Sequence, residues 1–121
     1  MVQKRGHLQR ELPLSLGGDH DLAIAEFTRA LEMDPGFAKA YTNRGNAYFF
    51  KGQHDQAISD FNKALDTDPK FARAYANRAE AYFMKKEYDQ AWEDVRQAQS
   101  LGHEVNPKFL QALRKASGRQ N

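Results

Sequence analysis

Apolar residues recur along the chain in stripes that a helix gathers onto one face. Ala57, Ile58, Phe61, Ala64 and Leu65 fall at i, i+1, i+4, i+7 and i+8, while Gln56, Ser59, Asn62, Lys63 and Asp66 face elsewhere. Upstream, Tyr41, Gly45 and Tyr48 share a second helical face. Between the two stripes lies Lys51-Gly52-Gln53, a short break with glycine at the C′ position. Asp55 then falls in the first turn of the following helix, where the helix dipole favours a carboxylate. Asp68-Pro69 closes that helix, because the residue before proline is pushed out of the α conformation. The pattern predicts a hairpin of two short amphipathic helices.

The hairpin repeats at a shift of 34 residues. Asp34-Pro35 returns as Asp68-Pro69, Ala40-Tyr41 as Ala74-Tyr75, Asn43-Arg44 as Asn77-Arg78, and Ala47-Tyr48-Phe49 as Ala81-Tyr82-Phe83. Upstream, His20-Asp21, Ala23-Ile24, Phe27 and Ala30-Leu31 match His54-Asp55, Ala57-Ile58, Phe61 and Ala64-Leu65. A half unit over 18–36 is thus expected before full units over 37–70 and 71–103. The leading helix of the first unit is degenerate: it lacks the aromatics and carries Pro13, which costs roughly 3 kcal/mol inside a helix. Residues 1–17 are expected to be irregular, and the helix over about 20–33 to expose part of its stripe. Beyond residue 103 the pattern changes. Asn106-Pro107 reads as an N-cap with proline at N1, Phe109, Ala112, Leu113 and Ala116 form a stripe, and Gly118 ends the helix. A capping helix over 104–118 and a tail over 119–121 follow.

Composition narrows the functional classes. Lys and Arg number 18 against 16 Asp and Glu, a formal charge of +2, too balanced to call for nucleic acid or a membrane surface. The absence of cysteine excludes disulfides and thiolate metal sites. No apolar run approaches the roughly 20 residues of a bilayer span, and the N-terminal stretch lacks the apolar core of a signal peptide. The default expectation is cytoplasmic.

The placement of Tyr41, Gly45, Tyr48, Ala57, Phe61, Ala64 and Pro69 resembles the tetratricopeptide repeat. The next unit supplies Tyr75, Ala79, Tyr82, Ala91 and Ala98, with Val95 in place of the usual phenylalanine. The resemblance covers about residues 18 to 103. It implies an all-α fold, a right-handed superhelical stack of antiparallel helix pairs forming an α-solenoid. Small residues let paired helices approach, Gly45 against Ala57, with Tyr41, Tyr48 and Phe61 around them. Arg44 and Arg78 depart from the family, standing where leucine is common. Asp60 and Asp94 recur at the same shift, so each arginine is expected to pair with the acid on its partner helix.

In the family the first helices of successive units line a concave groove. By position, the groove would be Lys39, Thr42, Asn43, Asn46, Phe49 and Phe50 from one unit, and Arg73, Ala76, Asn77, Glu80, Phe83 and Met84 from the next. Amides would bond to a peptide backbone, Lys39 and Arg73 would meet carboxylates, and the apolar residues would offer contact. Phe49 and Phe83 fit inter-repeat core equally well. Some relatives clamp a terminal carboxylate with five residues. Asn43 and Arg73 match two of those places, and Asn77 stands where a second basic residue would be.

Nothing points to catalysis. His20 and His54 are one repeat position, which suits packing, and no histidine pair has the helical spacing of a metal site. No phosphate loop or nucleophile elbow is present. Lys108, Arg114, Lys115 and Arg119 read as the solvated face of the cap. The expectation is a non-enzymatic module without cofactor or metal that binds a protein or peptide. The competing expectation is a homodimer assembled through the incomplete first unit.

Overall fold

The computed structural model describes residues 19–119, which form six helices and no strand. They are α1 (His20–Met33), α2 (Ala38–Phe50), α3 (His54–Thr67), α4 (Ala72–Met84), α5 (Tyr88–Ser100) and α6 (Pro107–Ser117). The irregular segment expected over 1–17 lies outside the described residues. Consecutive helices pack on one another, and α2 also touches α4, its counterpart one unit on. The first helices therefore line one side of the stack.

α2 and α3 approach closely at Gly45. A Cβ added at Gly45 would sit 2.7 Å from Phe61 Cε1 and 3.1 Å from the Ala57 carbonyl oxygen. Only a residue without a side chain lets the Phe61 ring lie against the α2 backbone, and Phe61, Ala57 and Ala64 are then fully buried. Ala79 takes the equivalent place in α4 and is itself fully buried.

The arginine–aspartate expectation is met in both units. Arg44 donates from Nε and Nη2 to the two Asp60 oxygens at 2.8 Å each, and Arg78 does the same to Asp94. Both aspartates are buried. Each guanidinium also lies over two tyrosines, Arg44 over Tyr41 and Tyr48 and Arg78 over Tyr75 and Tyr82, 5.6 to 5.9 Å from their centroids. Its remaining nitrogen reaches the preceding unit, Arg44 to Thr28 Oγ1 and Arg78 to Asn62 Oδ1. The Asp60 hydrogen bonds hold the Arg44 charge above its ordinary value. Burial works against the Arg78 charge, but the bonds to Asp94 outweigh it. Burial pushes the Asp94 carboxyl up.

A second set of ion pairs follows the same shift on the outside. Lys51 bonds Asp21, Lys85 bonds Asp55 and Arg119 bonds Asp89. Each joins the end of one helix to the first turn of the helix 30 positions earlier.

Helix ends obey the local chemistry. Asp34 and Asp68, each before a proline, leave the α region, and their carboxylates accept the Gly36 and Lys70 amides. After α2 and α5, Gly52 and Gly102 turn the chain at φ +83 and +85. The same place after α4 is Lys86, at φ 64, the one non-glycine residue with positive φ among the described residues.

The two ends differ from the middle. In α1, Ala23, Ile24, Phe27 and Ala30 are half-buried where their counterparts in α3 are buried, and Leu22 is exposed, as expected of a partly covered stripe. At the other end the cap forms with Asn106 accepting the Lys108 amide, Pro107 at the first turn and Gly118 as terminator. Its buried face is a correction to the expected stripe. Ala112 and Ala116 are exposed, and Phe109, Leu110, Leu113 and Ser117 face inward. The cause is Trp92 of α5, which is buried and donates its indole N–H to Ser117 Oγ, fixing the rotation of α6.

Two stability predictions follow from this packing. Asp60→Ala strands a mostly buried guanidinium and should cost about 3 kcal/mol in urea denaturation. The double variant Arg44→Leu with Asp60→Leu should recover most of the loss, since apolar replacement of a buried pair is often neutral. Lys86→Gly relieves a left-handed residue and should add roughly 1 kcal/mol, read as a rise of a few degrees in Tm.

Candidate functional site

α2 and α4 present one outer face of the stack, and most residues placed in the groove by position lie there. Asn43, Asn46, Arg73, Asn77 and Glu80 are half-buried, Lys39 is exposed, and Phe50 and Met84 are exposed apolar residues at equivalent positions. Arg73 Nη2 donates to Asn43 Oδ1 at 2.9 Å, which ties the two first helices together across this face. The same guanidinium lies over the Phe71 ring at 5.7 Å.

Two adjoining hollows open between α1 and α2. One, of about 230 Å³, is lined by His20, Ala23, Phe27, Asn43, Asn46, Ala47 and Phe50. The other, of about 320 Å³, is lined by Glu26, Phe27, Ala30, Phe37, Lys39, Ala40 and Asn43. Asn43 and Phe27 border both. Asn43 therefore faces the hollows on one side and Arg73 on the other.

Four residues placed in the groove by position belong elsewhere. Thr42 is fully buried and its hydroxyl donates to the Ala38 carbonyl at 3.0 Å, which satisfies it within its own helix. Its counterpart Ala76 is buried in the core cluster around Trp92. Phe49 packs on the Ala57–Ile58–Phe61 cluster and against His54, and Phe83 packs on the Trp92 cluster and edge-on to Phe109 at 5.5 Å. Packing claims both rings. His20 and His54 are likewise packing residues, His20 stacked on Phe50 and His54 against Phe49.

The sequence reading missed the contribution of α1. Glu26 and Phe27 wall the hollows, and the signal lay in the repeat itself: Phe27 is the counterpart of fully buried Phe61, yet the sequence before it lacks the aromatics of the other units.

Among the described residues no group of three metal-ligating side chains gathers, and no helix is long and apolar enough to cross a membrane. The electrostatics of the face are uneven. Arg73 and Lys39 stand toward the start of the first helices, and Glu80 stands farther along α4. Burial alone raises the Glu80 carboxyl above its ordinary value. A carboxyl whose folded value is raised favours the fold below its unfolded value, and that advantage is lost as pH rises through the folded one. Glu80→Gln should therefore raise Tm at pH 7, with the difference shrinking as pH falls to about 4, in melts followed by circular dichroism.

Models of the tetratricopeptide repeat match residues 38–71 and 61–93, and a TPR repeat model matches residues 16–51. No curated protein sequence matches the chain. Among solved structures, the first TPR of Spaghetti (RPAP3) bound to the HSP90 peptide SRMEEVD is 28% identical with a TM-score of 0.79. The match covers 91% of this chain and 86% of that one. The first TPR domain of human RPAP3 gives the same identity, coverage and TM-score. The TPR2B domain of yeast Sti1, in a pHsp70 complex, is 30% identical over 89% of this chain and 90% of that one, with a TM-score of 0.76. With a 34-residue hairpin period, a glycine-mediated helix contact and these likenesses, the chain belongs to the tetratricopeptide repeat family.

Proposed function

We propose that this chain is a protein-interaction module that takes an extended peptide segment of a partner protein along the face of α2 and α4, within the units over 37–70 and 71–103. The observation that carries the reading is the Asn43–Arg73 hydrogen bond. It holds a guanidinium in place on an outward face that also offers the amides of Asn46 and Asn77 and the exposed side chains of Phe50 and Met84. An oriented arginine beside carboxamides suits an acidic group flanked by peptide backbone, and the two apolar side chains suit a hydrophobic neighbour. Relatives solved with HSP90 and pHsp70 ligands support a peptide partner.

Only two residues, Asn43 and Arg73, match the five-residue carboxylate clamp by position, so the acidic group held here is a side chain or a chain end. No enzymatic step and no cofactor enter the proposal, and a cytoplasmic setting accompanies it. Self-association through the first unit draws no support from these relatives and is set aside.

A labelled heptapeptide ending in a free aspartate, with alanine at the third residue before the end, serves as the probe, read by fluorescence anisotropy. Asn43→Ala combined with Asn77→Ala should weaken binding at least tenfold, about 1.4 kcal/mol, with an unchanged thermal melt. Wild-type affinity in that double variant would overturn the groove assignment. A peptide amidated at its C-terminus should bind more weakly if the chain end is the acidic group held by Arg73.

A further inference from the structure

Three carboxylates on the first and second helices of the two full units are buried or half-buried among the described residues, and they differ in one respect. Asp60 and Asp94 are buried and each is met by a bidentate arginine. Glu80 is half-buried and makes no hydrogen bond or ion pair with any described residue. A partly desolvated carboxylate without a partner is a modest cost to the folded chain. Burial accordingly pushes its carboxyl up.

Its place on α4 gives that cost a use. Arg73, Asn77, Glu80 and Met84 follow one another at spacings of four, three and four residues, so they lie on a single helical face. That face also carries the Asn43–Arg73 pair. One unit earlier the position of Glu80 is taken by Asn46, a neutral amide that lines the hollow beside α1. The repeat thus accepts an uncharged residue at this position, and the carboxylate belongs to this unit alone. The basic residues of α4 and its end are directed elsewhere: Arg73 to Asn43, Arg78 to Asp94 and Lys85 to Asp55.

We infer that Glu80 is a specificity-determining residue of the peptide groove, selecting partner segments that carry a lysine or arginine about three residues from the acidic group held by Arg73. The spacing comes from the helix. Seven residues at about 1.5 Å each place Glu80 roughly 10 Å from Arg73 along α4, and an extended peptide covers that distance in about three residues at roughly 3.3 Å each. A basic side chain arriving there gives the carboxylate the charged donor that the fold withholds. An acidic side chain at the same place would meet a like charge in a partly dried site, which makes the residue a filter against uniformly acidic segments. The inference rests on the peptide-binding reading and narrows it to a segment of mixed charge.

The test uses the full chain and labelled heptapeptides ending in a free aspartate, with lysine, alanine or glutamate at the third residue before the end, read by anisotropy. The lysine peptide should bind wild type about tenfold more tightly than the alanine peptide, within the range of a charge-assisted hydrogen bond. The glutamate peptide should bind more weakly than either. Glu80→Gln should bring the lysine and alanine peptides within about twofold of each other, and Glu80→Lys should reverse the order of lysine and glutamate. The conservative glutamine variant keeps the comparison meaningful should the lysine variant fold poorly. Equal affinity of wild type for all three peptides, with binding still lost in the Asn43→Ala, Asn77→Ala variant, would overturn this inference and leave the groove standing. Binding indifferent to both sets of substitutions would remove the groove and this inference together.

Discussion

The fold turns on how near α2 comes to α3. At Gly45 there is no space for even a methyl group, because the Phe61 ring and the Ala57 carbonyl occupy it. That contact fixes which side of α2 is inside. Thr42 and Gly45 are buried, and Asn43 and Asn46 are left on another side of the same helix, half-buried at the wall of the hollows. A larger residue at Gly45 would push the helices apart and force the Phe61 ring out of its place, at a cost typical of overpacked cores. The candidate site is thus a by-product of one close approach, repeated with Ala79 in the next unit.

The charges on this scaffold divide into two kinds by the same geometry. Arg44 and Arg78 point inward, where an aspartate and a polar group of the preceding unit take three of the five donors and two tyrosines lie against the guanidinium. A leucine there would pack as well, so the pair contributes less to stability than to alignment: a bidentate guanidinium fixes the angle of the helix pair, and its third contact fixes the pair to its neighbour. The outer pairs, Lys51–Asp21, Lys85–Asp55 and Arg119–Asp89, are exposed and contribute little energy. Their value is that they recur in register, even onto the cap, where Arg119 takes the part that Lys85 plays one unit before.

Much of this was legible in the residues because the repeat states each position more than once. The Asp-Pro terminators, the glycine after α2 and the Arg44–Asp60 and Arg78–Asp94 pairs all follow from matching one unit to another. What escaped is what a period of 34 does not encode. Repeat position puts Thr42 in the groove, yet it is fully buried and its hydroxyl is satisfied by the Ala38 carbonyl. Phe49 and Phe83 could face either way by spacing alone, and only neighbouring rings, His54 and Phe109, decide it. The stripe expected of the cap, Phe109, Ala112, Leu113 and Ala116, is turned by the need of the Trp92 N–H for an acceptor, which brings Ser117 inward instead. The Asn43–Arg73 bond joins residues 30 apart in sequence, a relation that depends on how α2 and α4 sit together rather than on either helix.

That bond is also what separates the proposed groove from a merely polar surface. A solitary surface arginine samples many rotamers, and a ligand must restrict them when it binds. Asn43 uses one donor of Arg73, and the Phe71 ring supports the guanidinium plane, so part of that restriction is already met before a partner arrives. A guanidinium carries five donors in a fixed fork, and the bond to Asn43 engages one of them. The inward arginines each commit three donors, and their planes, to the fold. Arg73 is held by fewer contacts, one hydrogen bond and one ring, and so keeps more donors for the partner segment we propose.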